Sequence, residues 1–556
     1  MNRIKCKLTR CPWRSVFTTS NKASPPPPPP PPPLLSFPLS FADEGYFDVV
    51  PCLSKSTCIV GKNVAYVGGY GGIGYACCKK LLFVEPSQVK LITLSQYLTI
   101  LDVQENRIKR RCLNLINPNL KVSFVPLNLC DGQDAIQEVR HGKCCIAMVS
   151  IIKSTILCFQ TGLIETTLAA IPLMSTAENS GNNGGLIVNV SCVFGLEPAA
   201  FAAIYTASKH AVIGFTKSLA VSPVYQDHTG IVHTAICPGP TATDMFTDFA
   251  SRDTFDYSKP LSDMMLTPSQ QKDAQAENKP PDIVTNRAIL ENKNVVYIGG
   301  FSNVNFECCK LLKTAGVKVL RSLFEELKSS SPSSFHVHFM RFDPLDGQKA
   351  IEHALKKASE RMGGIDVLIN GSDIINEQKP KTCIQNNLLG PIYTTLAATP
   401  LMSRSQGARG GLIVNISSVF GLEPAACLAT YSATKHGVIG FTRMITYSSN
   451  FQHEHYYKRT GIGHIALCVG FTEIEMFKSL EFVKTFNYSL PITENILKIK
   501  KQSVEKCAEN IMAAIQSGEM GMIWMINNDK LERVKIPSYW EGEFAKRTNE
   551  NPVPKS

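Results

Sequence analysis

Two tyrosines each stand four residues ahead of a lysine, Tyr205 with Lys209 and Tyr431 with Lys435. On a helix that spacing puts both side chains on one face. A phenol with an ordinary pKa of about 10 is a poor acid or base at neutral pH, and an adjacent ammonium draws that pKa down. Such a pair can hand a proton to or from an alcohol or ketone oxygen while hydride moves at the carbon. Ser418 lies thirteen residues before Tyr431, at the end of an expected strand, where its hydroxyl can hold the same oxygen. Cys192 occupies the matching place before Tyr205. A thiol is a weak donor, so the substitution forfeits part of that contact, about 2.7–4 kcal/mol by analogy with losing one oxyanion donor. A nucleophilic or redox thiol is the other reading of Cys192, although neither a histidine partner nor a Cys-x-x-Cys pattern accompanies it.

The second constellation is a glycine turn. Gly68, Gly69, Gly71, Gly72, Ile73 and Gly74 follow the apolar run Asn63 to Val67 and open an expected helix, Tyr75 to Phe83. A pyrophosphate must approach backbone N–H groups at a helix N-terminus, and a side chain there would block it. Asp102 closes the apolar run Leu98 to Leu101, where its carboxylate can accept from a ribose diol; this favours NAD over NADP. Later in the chain Gly71, Gly72 and Gly74 align with Ser302, Asn303 and Asn305, and only Gly299 and Gly300 persist. That second turn is expected to bind a dinucleotide poorly.

The elements that position these groups come twice. GGLIVNVSCVFGLEPAAFAAIYTASKHAVIGFT begins at Gly184, and GGLIVNISSVFGLEPAACLATYSATKHGVIGFT begins at Gly410, an ungapped offset of 226 residues. A period of about 230 residues exceeds any solenoid unit and implies two complete domains. Within each copy, strand and helix alternate, which predicts a parallel sheet covered on both faces. The expected organisation is a leader over 1–60, a first domain over 61–276, a linker over 277–292, a second domain over 293–545 and a tail over 546–556. Both domains should be α/β, Rossmann-like and doubly wound.

The formal net charge of +11 does not indicate nucleic-acid binding, because six of those charges sit before Asp43 in the leader and the rest are scattered. No apolar run is long enough to span a bilayer. The nineteen cysteines form no framework and read as reduced, buried thiols, with no metal-ligand spacing. These features favour a cytoplasmic location, with a mitochondrial one suggested by the basic, acid-free start. Nine consecutive prolines, 25 to 33, form an extended rod that suits an SH3-, WW- or profilin-type groove or serves as a disordered, low-complexity leader.

Taken together, GGYGGIG, GGLIVNISS, Tyr431-Ser-Ala-Thr-Lys435 and Cys237-Pro238-Gly239 resemble the short-chain dehydrogenase/reductase family. LTILDVQEN and GMIWMINNDKLERV are similar to insect-type alcohol dehydrogenases, and KHGVIGFTR to 15-hydroxyprostaglandin dehydrogenase. The resemblance implies NAD, a small apolar alcohol or ketone substrate, and a tetrad of Asn, Ser, Tyr and Lys whose Lys also holds the nicotinamide ribose. In the second copy these are Asn387, Ser418, Tyr431 and Lys435, with Asp343 matching an adenine-site acid and Asn370-Gly371-Ser372 part of a family turn. The first copy keeps Tyr205 and Lys209, has Cys192 at the Ser position and Phe159 at the Asn position. Family members pair through the helices bearing Tyr and Lys, so a tandem chain is expected to form that pseudo-dimer within itself or to assemble as a homo-oligomer. A non-catalytic dinucleotide-binding scaffold is the alternative to an oxidoreductase.

Overall fold

A computed structural model describes residues 62–67, 95–102, 121–126, 146–149, 156–177, 184–197, 203–238, 290, 293–299, 303–314, 318–321, 338–339, 347–446, 451–474, 498–517 and 519–536. The leader with its prolines, the glycine turn Gly68 to Gly74 and the helix after it, Gly239, Asp343, the tail and all of the expected linker but Leu290 lie outside them.

In the first copy the strands are β1 (Lys62–Val67), β2 (Ser95–Asp102), β3 (Lys121–Pro126), β4 (Ile146–Val149), β5 (Gly185–Val190) and β6 (Ile231–Ile236). They form one parallel sheet in the order β3-β2-β1-β4-β5-β6. Helices α1 (Ile156–Met174), α2 (Ala203–Ala220) and α3 (Pro223–Thr229) connect the later strands. The second copy repeats the plan with β7 (Asn294–Ile298), α4 (Asn303–Thr314), β8 (Lys318–Arg321), β9 (His338–Phe339), α5 (Gln348–Met362), β10 (Val367–Asn370), α6 (Pro380–Ile384), α7 (Gly390–Met402), β11 (Gly411–Ser418), α8 (Ala429–Thr446), α9 (Phe451–Thr460), β12 (Ile462–Val469), α10 (Val504–Ser517), β13 (Ile523–Asn527) and β14 (Lys530–Arg533). Its sheet runs β14-β13-β12-β11-β10-β7-β8-β9, with only β14 antiparallel. The expected α/β doubly wound architecture is therefore present twice.

The sheet interior follows from composition. β5, β10 and β11 are Val, Ile and Leu runs buried on both faces rather than alternating, as strands covered by helices on each side must be. The order of strand addition reverses between β1 and β4, and again between β7 and β10, while the strands stay parallel. At such a switch point the flanking loops diverge and leave a crevice beyond the strand C-termini. Among the described residues no helix is long and apolar enough to cross a membrane. Cys192, Cys308, Cys309, Cys383, Cys427, Cys468 and Cys507 are free and buried, and Cys237 is free and half-buried.

Helices α2 and α8, the two copies of the Tyr/Lys helix, pack against each other, and one apolar core unites Phe215 and Leu163 with Phe441 and Leu388. The approach is close because each helix offers a glycine to the other's histidine. A Cβ on Gly214 would lie 2.6 Å from the Cβ of His436, and one on Gly440 would lie 2.4 Å from Cγ of His210. The two imidazoles stand 6.1 Å apart, centre to centre. His436 shares a hydrogen bond with the Gly421 carbonyl at 2.7 Å, and His233 meets the Tyr225 hydroxyl at 2.6 Å.

Burial pulls the pKa of His436 and of His233 down to about 3. Their unfolded value is about 6.5, so below that pH the unfolded chain binds more protons and stability falls as pH falls. Each group should cost on the order of 3 kcal/mol by pH 4. Calorimetric melting should therefore show a midpoint dropping steeply between pH 6.5 and 4, with a shallower slope in His436→Gln.

Candidate functional site

Each copy brings a strand end and a helix together at the switch-point side of its sheet. After β5 the chain enters a 3-10 turn, Val193–Gly195, with Cys192 at its start (φ −158°, ψ 160°). After β11 the same turn, Val419–Gly421, begins at Ser418 (φ −143°, ψ 160°). The backbones match, but the side chains do not act alike. Ser418 Oγ accepts the Phe420 N–H at 3.3 Å, whereas Cys192 makes no capping bond. Val193 N–H donates to the Pro238 carbonyl at 3.0 Å, tying this strand end to the one after β6.

The Tyr/Lys pairs superpose in their chemistry. The ammonium of Lys209 lies 5.5 Å from the centre of the Tyr205 ring, and that of Lys435 lies 5.5 Å from that of Tyr431. Each lysine is anchored by a carbonyl near the strand end, Lys209 donating to Val190 at 3.2 Å and Lys435 to Ile416 at 3.3 Å. The serine preceding each Ser/Cys position turns the other way: Ser191 Oγ donates to the Lys209 carbonyl at 2.8 Å and Ser417 Oγ to that of Lys435 at 2.9 Å. Ser191 is thus committed to holding the helix and cannot replace Cys192, as strand alternation requires.

The surroundings differ. In the first copy the Tyr205 hydroxyl meets the Cys192 thiol, and burial first, then Cys192, pushes the phenol pKa up. Burial pulls Lys209 down to about 8, opposed by Cys192 and Cys237. In the second copy burial again comes first in raising Tyr431, followed by the carboxylate of Asp373. The lowered phenol pKa expected from the sequence is therefore reversed in both copies. A neighbouring ammonium does favour phenolate, but removing an anion from water outweighs it here.

Asn387 is fully buried and donates to Thr434 Oγ1 at 3.4 Å, on the helix that carries Tyr431 and Lys435. It sits in a π turn, Gln385–Leu389, between α6 and α7, where Gly390 N–H reaches the Gln385 carbonyl. Pro391 has no N–H to offer the Asn387 carbonyl, so the regular ladder is interrupted at that residue. The Asn387 amide clamps loop residue 374, accepting Ile374 N–H at 2.9 Å and donating to its carbonyl at 2.7 Å. In the first copy α1 runs unbroken through Phe159.

A dinucleotide suits the two copies unequally. Beside β7, Asn305 accepts the Tyr297 hydroxyl at 2.7 Å and donates to the Gly371 carbonyl at 3.0 Å. Its amide fills the turn: a Cβ on Gly299 would already lie 2.8 Å from Asn305 Nδ2. In the first copy Asp102 ends β2, the strand beside β1, which borders the β1–β4 switch point.

The short chain dehydrogenase family matches residues 147–254 and 293–482. The chain belongs to the short chain dehydrogenase family. Alcohol dehydrogenase 1 of Ceratitis cosyra is 35% identical over 266 residues, which cover 46% of this chain and 99% of that protein. Fat body protein 2 of Drosophila melanogaster is 33% identical over 257 residues, covering 45% and 97%. Alcohol dehydrogenase-related 31 kDa protein of Drosophila immigrans is 33% identical over 259 residues, covering 45% and 92%. Two family segments in one chain, with whole relatives spanning less than half of it, make this a tandem short chain dehydrogenase.

Two residues at the second dehydrogenase site were missed in the sequence. Asp373 immediately follows Asn370-Gly371-Ser372, and its carboxylate contacts both Tyr431 and Lys435. Its position one residue past the partial family turn was the available signal. Glu377 accepts the N–H groups of Thr430 and Tyr431 at 2.9 and 2.8 Å, serving the start of the tyrosine helix from over fifty residues away. Burial raises its pKa to about 7, and the two N–H donors restrain the rise. No local capping pattern could have revealed it.

Proposed function

We propose that the chain is an NAD-dependent oxidoreductase acting on the CH–OH group of a small apolar secondary alcohol, or reducing the matching ketone, with the first copy doing the work. The observation that carries this is the Tyr205–Lys209 pair, its lysine buried and Cys192 against the half-buried phenol, in a short chain dehydrogenase whose other copy sets Asn305 against Gly299 and Gly371. The insect alcohol dehydrogenases among its relatives support the substrate class. Asp102 and the glycine turn Gly68 to Gly74 would hold the dinucleotide, and Asp102 favours NAD. When bound, NAD supplies the hydride acceptor. Tyr205 would take the alcohol proton as its phenolate, and the Lys209 ammonium would supply the positive charge that opposes the burial holding the resting phenol protonated. Cys192 orients the alcohol oxygen weakly, which lowers the rate.

We further propose that α2 and α8 take the place of a two-subunit contact, so that the second copy supports the first. A dinucleotide-binding scaffold without turnover is the second reading, favoured by the thiol at Cys192. NADH fluorescence titration should give one equivalent per chain. A screen of secondary alcohols should then show NADH formation that Tyr205→Phe abolishes and Tyr431→Phe spares. Binding without any turnover would select the scaffold instead.

A further inference from the structure

In the second copy a carboxylate of the chain itself stands between the two groups that would meet a ligand. Asp373 Oδ2 accepts the Tyr431 hydroxyl at 2.8 Å, and Oδ1 lies 3.0 Å from Lys435 Nζ as an ion-pair contact. The Lys435 side chain is 0% exposed and that of Asp373 22%, so the acid lies on the solvent side of the ammonium. An alcohol or carbonyl oxygen that approached Tyr431 would find its proton already donated. A hydroxyl that approached Lys435 would find its charge matched.

The carboxylate is held in place by its own loop, fixed on both sides. Before it, the Gly371 carbonyl accepts the Asn305 amide at 3.0 Å. After it, Asn387 grips both backbone groups of Ile374, and Glu377 binds the N–H groups that begin the tyrosine helix. In the first copy residues 150–155, between β4 and α1, read Ser-Ile-Ile-Lys-Ser-Thr and carry no acid. Burial, the Val190 carbonyl and the thiols of Cys192 and Cys237 act on Lys209.

We propose that Asp373 is a latch that closes the Tyr431–Lys435 pair to hydroxyl and carbonyl ligands, so that the copy with the complete tetrad is the silent one. The latch explains how all four tetrad residues persist in a copy that sets Asn305 against Gly299 and Gly371: they form a folded polar cluster around an internal acid. The inference rests on reading the Tyr/Lys pairs as proton-handling groups, and its test reads the phenol directly without turnover. Failure of the alcohol-oxidation screen would therefore leave it standing.

The full chain is labelled with tyrosine carrying carbon-13 at Cζ, and the Tyr431 resonance is identified by its loss in Tyr431→Phe. In the wild type this phenol should remain protonated throughout titration to pH 10. In Asp373→Asn, with the ammonium left beside it and the anion gone, phenolate should appear at a proton concentration at least about tenfold higher than in the wild type. Asp373→Ala provides a second variant without a hydrogen-bonding side chain and should shift the titration the same way. Unchanged NADH binding and an unchanged Tyr205 resonance report that the fold is intact. A Tyr431 titration identical in the wild type and both variants, or wild-type phenolate already formed well below pH 10, would overturn the latch.

Discussion

Cys192→Ser is expected to raise kcat for secondary-alcohol oxidation by about a hundred- to a thousandfold, the usual worth of one oxyanion-type donor. The backbone is ready for the change, since Cys192 and Ser418 have nearly the same dihedral angles at the head of the same 3-10 turn. Serine is also smaller than cysteine, so no neighbour must move. Ser418 shows what the hydroxyl gains: it accepts the Phe420 N–H at 3.3 Å and hydrogen-bonds the Tyr431 phenol. A serine at 192 has the corresponding turn N–H and the Tyr205 hydroxyl as partners, so its burial is compensated. The gain should appear in kcat with KM little changed, because the donor matters most as charge develops on the substrate oxygen. Steady-state kinetics with NAD and a panel of secondary alcohols makes the comparison. A variant that melts like the wild type yet gains no rate would remove the first copy from catalysis. Phe159 sets the ceiling, since the asparagine that anchors a loop in the second copy has no counterpart there.

The fold was legible because its signals are repeated and local. The Val/Ile/Leu runs at β5 and β11 and the Tyr/Lys helices recur in one register, and two copies of a pattern cannot both be chance. The Ser418, Tyr431 and Lys435 cluster was legible for the same reason, since strand-end and helix-face positions follow from spacing alone. What escaped was contact across sequence distance. Asp373 reaches a tyrosine 58 residues on, and Glu377 caps a helix start 54 residues away. The direction of the phenol pKa also escaped, because charge spacing is visible in sequence while desolvation depends on the finished packing. Asn305 was half legible: its loss of glycine was plain, but its bridge from Tyr297 to Gly371 was not.

Gly440→Ala should destabilise the chain by about 1–3 kcal/mol, although alanine in a helix interior is worth about 1 kcal/mol more than glycine. The opposite sign must come from the partner copy. The new Cβ would sit 2.4 Å from His210 Cγ and 2.7 Å from its Cβ and Cδ2. His210 cannot easily withdraw, being 3% exposed and bonded through Nδ1 to the Thr206 carbonyl at 3.0 Å. Truncating that imidazole should relieve the clash. In a double-mutant cycle Gly440→Ala with His210→Ala should cost less than the two single changes summed by about 1 kcal/mol or more, as expected for residues in direct contact. His436→Ala makes the control, because it faces Gly214 and should not rescue Gly440→Ala. Urea unfolding monitored by circular dichroism supplies each value. Strict additivity in the His210 cycle would show that α2 and α8 do not meet as described. The same titrations separate pairing within a chain from pairing between chains. A contact inside one polypeptide gives midpoints independent of protein concentration, whereas a contact between two chains makes stability rise with concentration by mass action.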